Sequence, residues 1–395
     1  MSGAVVGSSG LDIGVYGARG VPSTYSGYET FLTTLLPELV RRGDRVTMYC
    51  RPGDGMDNSE WEGVRRRVLP ALPGKNFNTL THGLVAGVAA RLARHDVVLV
   101  VNVANAAYCA IGRYTRQPTL LNTDGQEWLR DKWGGTAKQV FHRSARIAGR
   151  CATALVADCE AMAAIYRDEF HADSTVIPYC VPPVEFVADT AFLDDRDLTP
   201  YRYVLVGGRH NPENNIHTVA EAFHASDIDV PLVVLGTANY DSPVTNRVLE
   251  LAATDDRIRV LGHIGNRAEF FNLVHHASVY VHGHSVGGTN PSLVEAMGVR
   301  ARICALDNSF NRQTLGPDGG YFCLDESPKR FAAVIAAVLA ETQEDDAAAR
   351  DATARRATEV YSVSGVTDAY RELLHLVARS RRPVTMRTSW DVGHG

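Results

Sequence analysis

Short runs of β-branched and apolar residues alternate along the chain with stretches in which apolar positions return every three or four residues. The first pattern fits strands and the second amphipathic helices. Regular alternation of the two predicts parallel sheets covered by helices on both faces. Expected strands in the first half are 11–16, 45–50, 97–103, 119–122, 154–157 and 175–177; in the second half they are 203–206, 232–235, 258–261, 279–282 and 302–305. Two series imply two sheets, hence an α/β chain of two Rossmann-like domains.

A stretch without periodicity, 178–200, separates the series. It holds Pro178, Pro182, Pro183 and Pro200 with Asp194, Asp195 and Asp197, and reads as an interdomain connection. The expected division is an N-terminal domain over 1–182, a linker over 183–200 and a C-terminal domain over 201–361. An alanine- and charge-rich run predicts one helix near 328–358. Val366, Tyr370, Leu373, Leu374 and Val377 place a last amphipathic helix within 362–381, expected to complete the N-terminal domain. Residues 382–395 read as a frayed tail.

At 395 residues the chain exceeds one ordinary core, and 45% hydrophobic with 22% charged residues is ordinary globular composition. A formal net charge of -5 offers no global attraction to nucleic acid. The seven cysteines are scattered, with no Cys-x-x-Cys pair and no histidine at zinc spacing, which suits a reducing cytoplasm. The first ten residues lack the regions of a signal peptide, and no segment reaches the roughly 18 apolar residues that span a bilayer. A cytoplasmic protein is expected, at most peripheral to a membrane.

Chemistry concentrates in Val281-His-Gly-His-Ser-Val-Gly-Gly-Thr-Asn-Pro-Ser-Leu-Val-Glu-Ala-Met297, a strand, a glycine loop and a helix. Asn290 is a good N-cap and Pro291 suits the first helical position. Gly287 and Gly288 allow close backbone approach, and the helix N-terminus favours an anion such as a diphosphate. Glu295, one turn inside, suits a diol such as that of ribose; the plainer reading is a solvated glutamate after a tight turn. His282, His284, Thr289 and Asn290 crowd the same loop.

Val204-Leu-Val-Gly-Gly-Arg-His-Asn-Pro-Glu-Asn-Asn-Ile216 repeats the strand, glycine and helix order. Arg209 leaves the strand at the sheet edge where open α/β sheets bind ligands, and a guanidinium clamps phosphate oxygens. A surface pair with Glu213 is the alternative. In the first half, the loop with Gly17, Arg19, Gly20 and Glu29 lacks Gly-x-Gly-x-x-Gly, so a nicotinamide site is poorly supported. Arg19 and Glu29 either touch donor or acceptor, or simply meet each other. Asp124 and Glu127 follow a strand; either can orient or deprotonate an acceptor hydroxyl, or Asp124 can cap a helix. Lys138, His142, Arg146 and Arg150 recur every four residues on an amphipathic helix, which meets anionic lipid, an acceptor diphosphate or only water.

Together these segments resemble the retaining family 4 glycosyltransferases of GT-B fold, and within them the rhamnosyltransferase-like subgroup. The matching runs are Gly17-Ala-Arg-Gly-Val-Pro22 with Gly27-Tyr-Glu-Thr30, Asp124-Gly with Glu127-Trp128 and Lys132-Trp133-Gly134, Arg209 with Pro212-Glu-Asn-Asn215, and His282-Gly-His-Ser with Gly287-Gly-Thr-Asn-Pro-Ser-Leu293. The resemblance implies two domains facing a cleft. It implies that Arg209 and the loop from Gly287 to Thr289 hold the diphosphate of a nucleotide-sugar donor, often dTDP-L-rhamnose, and that Glu295 binds ribose. It also implies transfer with retention, without metal or cofactor, to a saccharide, lipid-linked saccharide or natural-product acceptor. Two positions depart from the wider family. The first glutamate of its Glu-(seven residues)-Glu pattern is Gly287, and the basic residue expected five positions after Arg209 is Asn214. His282 and His284 are candidates for the contacts so displaced. A non-catalytic nucleotide-sugar binding module and a nucleotide-sugar epimerase are the rival readings.

Overall fold

The computed structural model describes residues 10–23, 26–53, 55–72, 77–129, 134–185, 187–237, 242–317, 319–342, 344–380 and 382–390. The chain divides into two units, one of Met1–Trp128, Gly135–Pro182 and Val363–Gly395, the other of Leu129–Gly134 and Pro183–Ser362.

In chain order the first unit contains β1 (Asp12–Tyr16), α1 (Gly27–Arg41), β2 (Arg45–Cys50), β3 (Glu60–Trp61), β4 (Val64–Val68), α2 (Phe77–Ala93), β5 (Val97–Val100), α3 (Cys109–Thr115), β6 (Thr119–Asn122), α4 (Gly135–Cys151), β7 (Ala154–Ala157), α5 (Glu160–Phe170) and β8 (Thr175–Val176). Its sheet has the order β3-β4-β2-β1-β5-β6-β7-β8, parallel except for the β3–β4 pair. Helices cover both faces, so the central strands are apolar throughout rather than alternating. Phe31, Leu32, Leu35 and Leu36 of α1 share one core with Ile13, Val15, Val97 and Leu99.

The second unit contains α6 (Ala191–Asp194), β9 (Val204–Gly207), α7 (Ile216–His224), β10 (Leu232–Leu235), α8 (Pro243–Ala252), β11 (Ile258–Gly262), α9 (Arg267–His275), β12 (Val279–His282), α10 (Pro291–Gly298), β13 (Ile303–Leu306), α11 (Ser309–Leu315), β14 (Tyr321–Cys323), α12 (Pro328–Leu339) and α13 (Ala347–Val360). Its sheet, β11-β10-β9-β12-β13-β14, is parallel throughout. The chain therefore winds outward from β9 in one direction and from β12 in the other. Between these neighbours lies the point where strand order reverses, the crevice in which open α/β sheets bind ligands. In the first unit the same reversal falls between β1 and β5.

A last helix, α14 (Val363–Arg379), packs on the first unit. Asn122 Nδ2 donates to Tyr370 Oη at 2.7 Å, Arg371 Nε to Asp44 at 2.9 Å, and Arg42 Nε to Asp368 at 2.8 Å.

Four features differ from the sequence expectations. The β3–β4 hairpin was not expected; it turns at Glu62 and Gly63, both at positive φ, the geometry of a tight two-residue hairpin. The alanine-rich run forms two helices instead of one. The buried Arg302 guanidinium takes the carbonyls of Val338, Glu341 and Thr342 and pairs with Asp346, which stops α12 and lets the chain restart as α13. The segment expected as a linker is not a free connection. Asp189 N donates to Asn272 Oδ1 at 2.7 Å, and Arg196 of the turn after α6 pairs with Glu269 of α9.

Nor does the described part of the expected tail, 382–390, fray. Val384 N donates to Thr153 O, Met386 N to Thr175 Oγ1 and Thr388 Oγ1 to Val176 O, while Val384, Met386 and Trp390 pack on the core. The segment covers the outer side of the edge strand β8, the side not paired with β7. Among the described residues no helix is long and apolar enough to cross a membrane.

Candidate functional site

Both glycine loops singled out in the second half emerge at the reversal point of the second unit. The β9 loop begins with Gly207 and Gly208, the latter at φ +146, and sends Arg209 outward. The alternative pair with Glu213 does not form; Arg209 is exposed and makes no ion pair among the described residues. Asn214, standing where a basic residue was expected, donates from Nδ2 to Arg209 O at 2.7 Å and so fixes the backbone that carries the guanidinium.

The two loops are tied to each other. Asn215, in the left-handed conformation, donates to Gly283 O at 2.9 Å, and Ser285 N donates to Glu213 O at 2.9 Å. A Cβ at Gly283 would stand 2.8 Å from Asn214 O, so only glycine permits this approach. From the other side, Asn308 and Asn311 both donate to His284 O, at 2.9 and 3.1 Å. Arg209 and the start of the β12 loop, from Gly283 to Ser285, are thus held in one hydrogen-bonded frame.

His282 closes β12 and is fully buried. Its ring stacks on that of His284 at 4.2 Å with an 8° tilt, and neither of its nitrogens has a hydrogen-bond partner among the described residues. Burial pushes its pKa down to about 3, so the ring is neutral at physiological pH. Gly287 has φ +154 with no atom within 4 Å of an added Cβ, while Thr289 is buried.

Asn290 caps α10, its Oδ1 accepting from Ser292 N at 3.1 Å and Ser292 Oγ at 2.8 Å. Leu293 N and Val294 N are taken by Asn290 O, and Pro291 has no N–H. The expected free donors of the first helical turn are therefore already engaged. Glu295 is only 9% exposed. Its Oε1 accepts from Arg267 Nη2 at 2.6 Å, while Oε2 makes no hydrogen bond among the described residues. Burial raises the Glu295 pKa and the Arg267 charge opposes that rise.

In the first unit, a Cβ on Gly17 would collide with Val101 O, and one on Gly20 would crowd Met56 and Cys50, so both glycines serve close packing after β1. Glu29, in the first turn of α1, is buried. Its Oε1 accepts from Arg19 N and its Oε2 from Ser23 Oγ, each at 2.9 Å. That carboxylate folds its own loop. Asp124 follows β6 at φ +55; its N donates to Asn122 Oδ1 at 3.0 Å, and Tyr179 Oη donates to its Oδ1 at 3.3 Å. Glu127 is buried in a single helical turn, Glu127–Leu129. Lys132 and Trp133 lie outside the described residues. Two Asp-x-Asp spacings occur, Asp195-Arg196-Asp197 in the turn after α6 and Asp227-Ile228-Asp229 between α7 and β10, and neither lies on a glycine loop.

Residues 26–180 match the glycosyl transferase 4-like domain, and residues 195–356 match glycosyl transferases group 1. Sucrose-phosphate synthase of Thermosynechococcus elongatus superposes with a TM-score of 0.76 at 15% identity, covering 92% of this chain and 99% of that one. HepE of Anabaena, solved with UDP and glucose, superposes with a TM-score of 0.72 at 13% identity, again over 92% and 99%. The chain belongs to the GT-B glycosyltransferases. A glycosyltransferase of Rickettsia africae gives a TM-score of 0.69 at 14% identity, over 94% and 99%. At such identities the likeness is one of fold. No curated protein matches the sequence significantly.

Three parts of the glycosyltransferase's candidate site escaped sequence reading: Arg267, the clamp of Asn215, Asn308 and Asn311, and Tyr179. Only Arg267 left a signal. It opens α9 right after the Asn266 cap, where the helix dipole disfavours a cation, so its charge answers to something outside its own helix.

Proposed function

We propose that this glycosyltransferase moves a hexose or deoxyhexose from a nucleotide diphosphate donor to a hydroxyl acceptor with retention and without a metal. One observation supports the donor assignment: an exposed Arg209 without a carboxylate partner among the described residues, on a loop that Asn214 and Asn215 tie to the glycine loop after β12 at the reversal point of the sheet. The guanidinium and the backbone N–H groups of Gly287 and Gly288 form the diphosphate seat, since the first turn of α10 is already capped. Glu295 Oε2 receives the ribose diol. HepE binds UDP and UDP-glucose, which supports the donor class, and the sequence resemblance favours dTDP-L-rhamnose as the donor.

In the reaction the anomeric C1–O bond to the diphosphate breaks as the acceptor oxygen bonds to C1 on the same face. The acceptor proton passes to Asp124 or to the departing phosphate oxygen, and Arg209 stabilises the charge that develops there. Glu127 and His284 are assigned to acceptor and sugar hydroxyls. The test is a panel of dTDP-, UDP- and GDP-sugars with saccharide, lipid-linked and natural-product acceptors. Nucleotide diphosphate release is measured, and the product's anomeric configuration is read by NMR. Affinity without release would make the protein a binding module; conversion of donor without acceptor would make it an epimerase. Either result overturns the proposal.

A further inference from the structure

The first unit carries a surface that the donor chemistry does not use. From Gly63 to Thr123 the only acidic residue is Asp96, although the whole chain is net negative. Helix α2 lies in this stretch and contains no charged residue before Arg91. Its inner side, with Gly83 and Gly87, fits against Tyr108 and Ile111, as the spacing of added Cβ atoms shows. Its outer side presents Leu84, Val88 and Leu92, one turn apart and all exposed, Leu92 to 77%. Tyr114 at the end of α3 is 86% exposed. Gln117 Nε2 donates to Ala90 O and His95 O, which holds the ends of α2 and α3 together.

Cations gather at the C-terminal end of this apolar stripe. Arg94, Arg113 and Arg116 are exposed and make no ion pair among the described residues. Arg113 and Arg150 of α4 both act on the Cys151 thiol, which brings the end of α4 to the same place. Other surface arginines, among them Arg42, Arg247, Arg257 and Arg312, do engage a carboxylate. Arg94, Arg116 and Arg150 stand shortly before β5, β6 and β7, at the opposite sheet edge from the loop that carries Asp124.

We propose that the α2–α3 face, rimmed by Arg94, Arg113, Arg116 and Arg150, docks on an anionic lipid bilayer. The combination of an exposed apolar stripe and unpaired arginines is what an anionic interface recognises: the side chains enter the acyl boundary and the guanidinium groups meet headgroup phosphates. An apolar protein partner would need no such cationic rim, and a nucleic acid no leucine stripe.

The test is co-sedimentation of the full chain with phosphatidylcholine vesicles, with and without phosphatidylglycerol. The chain is expected to bind the phosphatidylglycerol vesicles and to release as salt rises. Arg113→Glu with Arg116→Glu should lower the partition coefficient by about tenfold or more. Leu92→Glu should abolish the binding that persists at high salt. Both variants should keep the wild-type thermal transition and donor turnover with a soluble acceptor. Failure of the wild type to bind, equal binding to both vesicle types, or loss only on Arg143→Glu with Arg146→Glu in α4 overturns the assignment. Wild-type binding by the α2–α3 variants overturns it equally.

Discussion

Arg267 and Glu295, 28 residues apart in sequence, meet at 2.6 Å through Nη2 and Oε1. The arginine opens α9 and the glutamate lies one turn inside α10, so the fold brings a cation across β12 and its loop to the carboxylate proposed to bind ribose. The pairing leaves Oε2 for the ligand and opposes the upward pull of burial on the Glu295 pKa.

Removing the cation leaves only the cause that raises the Glu295 pKa. Arg267→Ala is therefore expected to raise the donor KM about tenfold at neutral pH, the scale of one charge-assisted hydrogen bond, with a smaller effect on kcat. The pH at which donor binding is half lost should move upward, because the acid form cannot accept from both ribose hydroxyls. A KM against pH profile identical to wild type would show that Glu295 does not bind the donor as a carboxylate.

His282 supplies a stability test that does not depend on activity. Its folded pKa of about 3 lies below its unfolded value of 6.5. A depressed value means that the folded state resists protonation, so stability is full above pH 6.5 and is lost as pH falls toward 3. Each unit inside that window removes on the order of 1 kcal/mol. His282→Phe keeps a ring against His284 and removes the titration. The difference in urea unfolding free energy between wild type and variant should shift by about 2 kcal/mol in the variant's favour between pH 7 and pH 5. Equal slopes would mean that the imidazole is solvated.

The parts of the fold that could be read from sequence are those whose physics is local. Strands 45–50, 119–122, 154–157, 232–235 and 279–282 coincide with β2, β6, β7, β10 and β12, because burial on both faces makes their central positions apolar. The β3–β4 hairpin hid because Arg65, Arg66 and Arg67 look solvent-facing, yet Arg66 is buried and its Nη2 donates to Asp57 and Ser59. Nothing near residue 340 announces a helix end, since the group that stops α12 is Arg302, just before β13. At the site the same division holds. The N-cap of Asn290 is a matter of neighbours, whereas the Glu295–Arg267 pair and the asparagine clamp exist only after folding.

Glu29 is expected to matter for the fold of its loop before it matters for chemistry. Both carboxylate oxygens are engaged, by Arg19 N and Ser23 Oγ. Glu29→Ala should cost about 1–3 kcal/mol in the unfolding of the first unit, because a buried N–H loses its acceptor. Glu29→Gln keeps one acceptor oxygen and should fall between. Limited proteolysis should cut the loop between residues 17 and 26 sooner in the alanine variant. Wild-type resistance in that variant would return Glu29 to the list of ligand-contact candidates.

Tyr179 offers a way to separate positioning from proton transfer at Asp124. Its hydroxyl has one proton to share between Asn122 Oδ1 at 3.2 Å and Asp124 Oδ1 at 3.3 Å, and Phe31 stacks on its ring at 4.8 Å. In Tyr179→Phe the ring and its stack survive while the hydroxyl is lost, so the fold should hold and kcat should fall severalfold at unchanged donor KM. Asp124→Asn keeps the shape and removes the base; a loss of about 100-fold or more in kcat is expected if the carboxylate takes the acceptor proton. Equal and modest losses in the two variants would place Asp124 among the residues that orient the acceptor and leave the proton to the departing diphosphate.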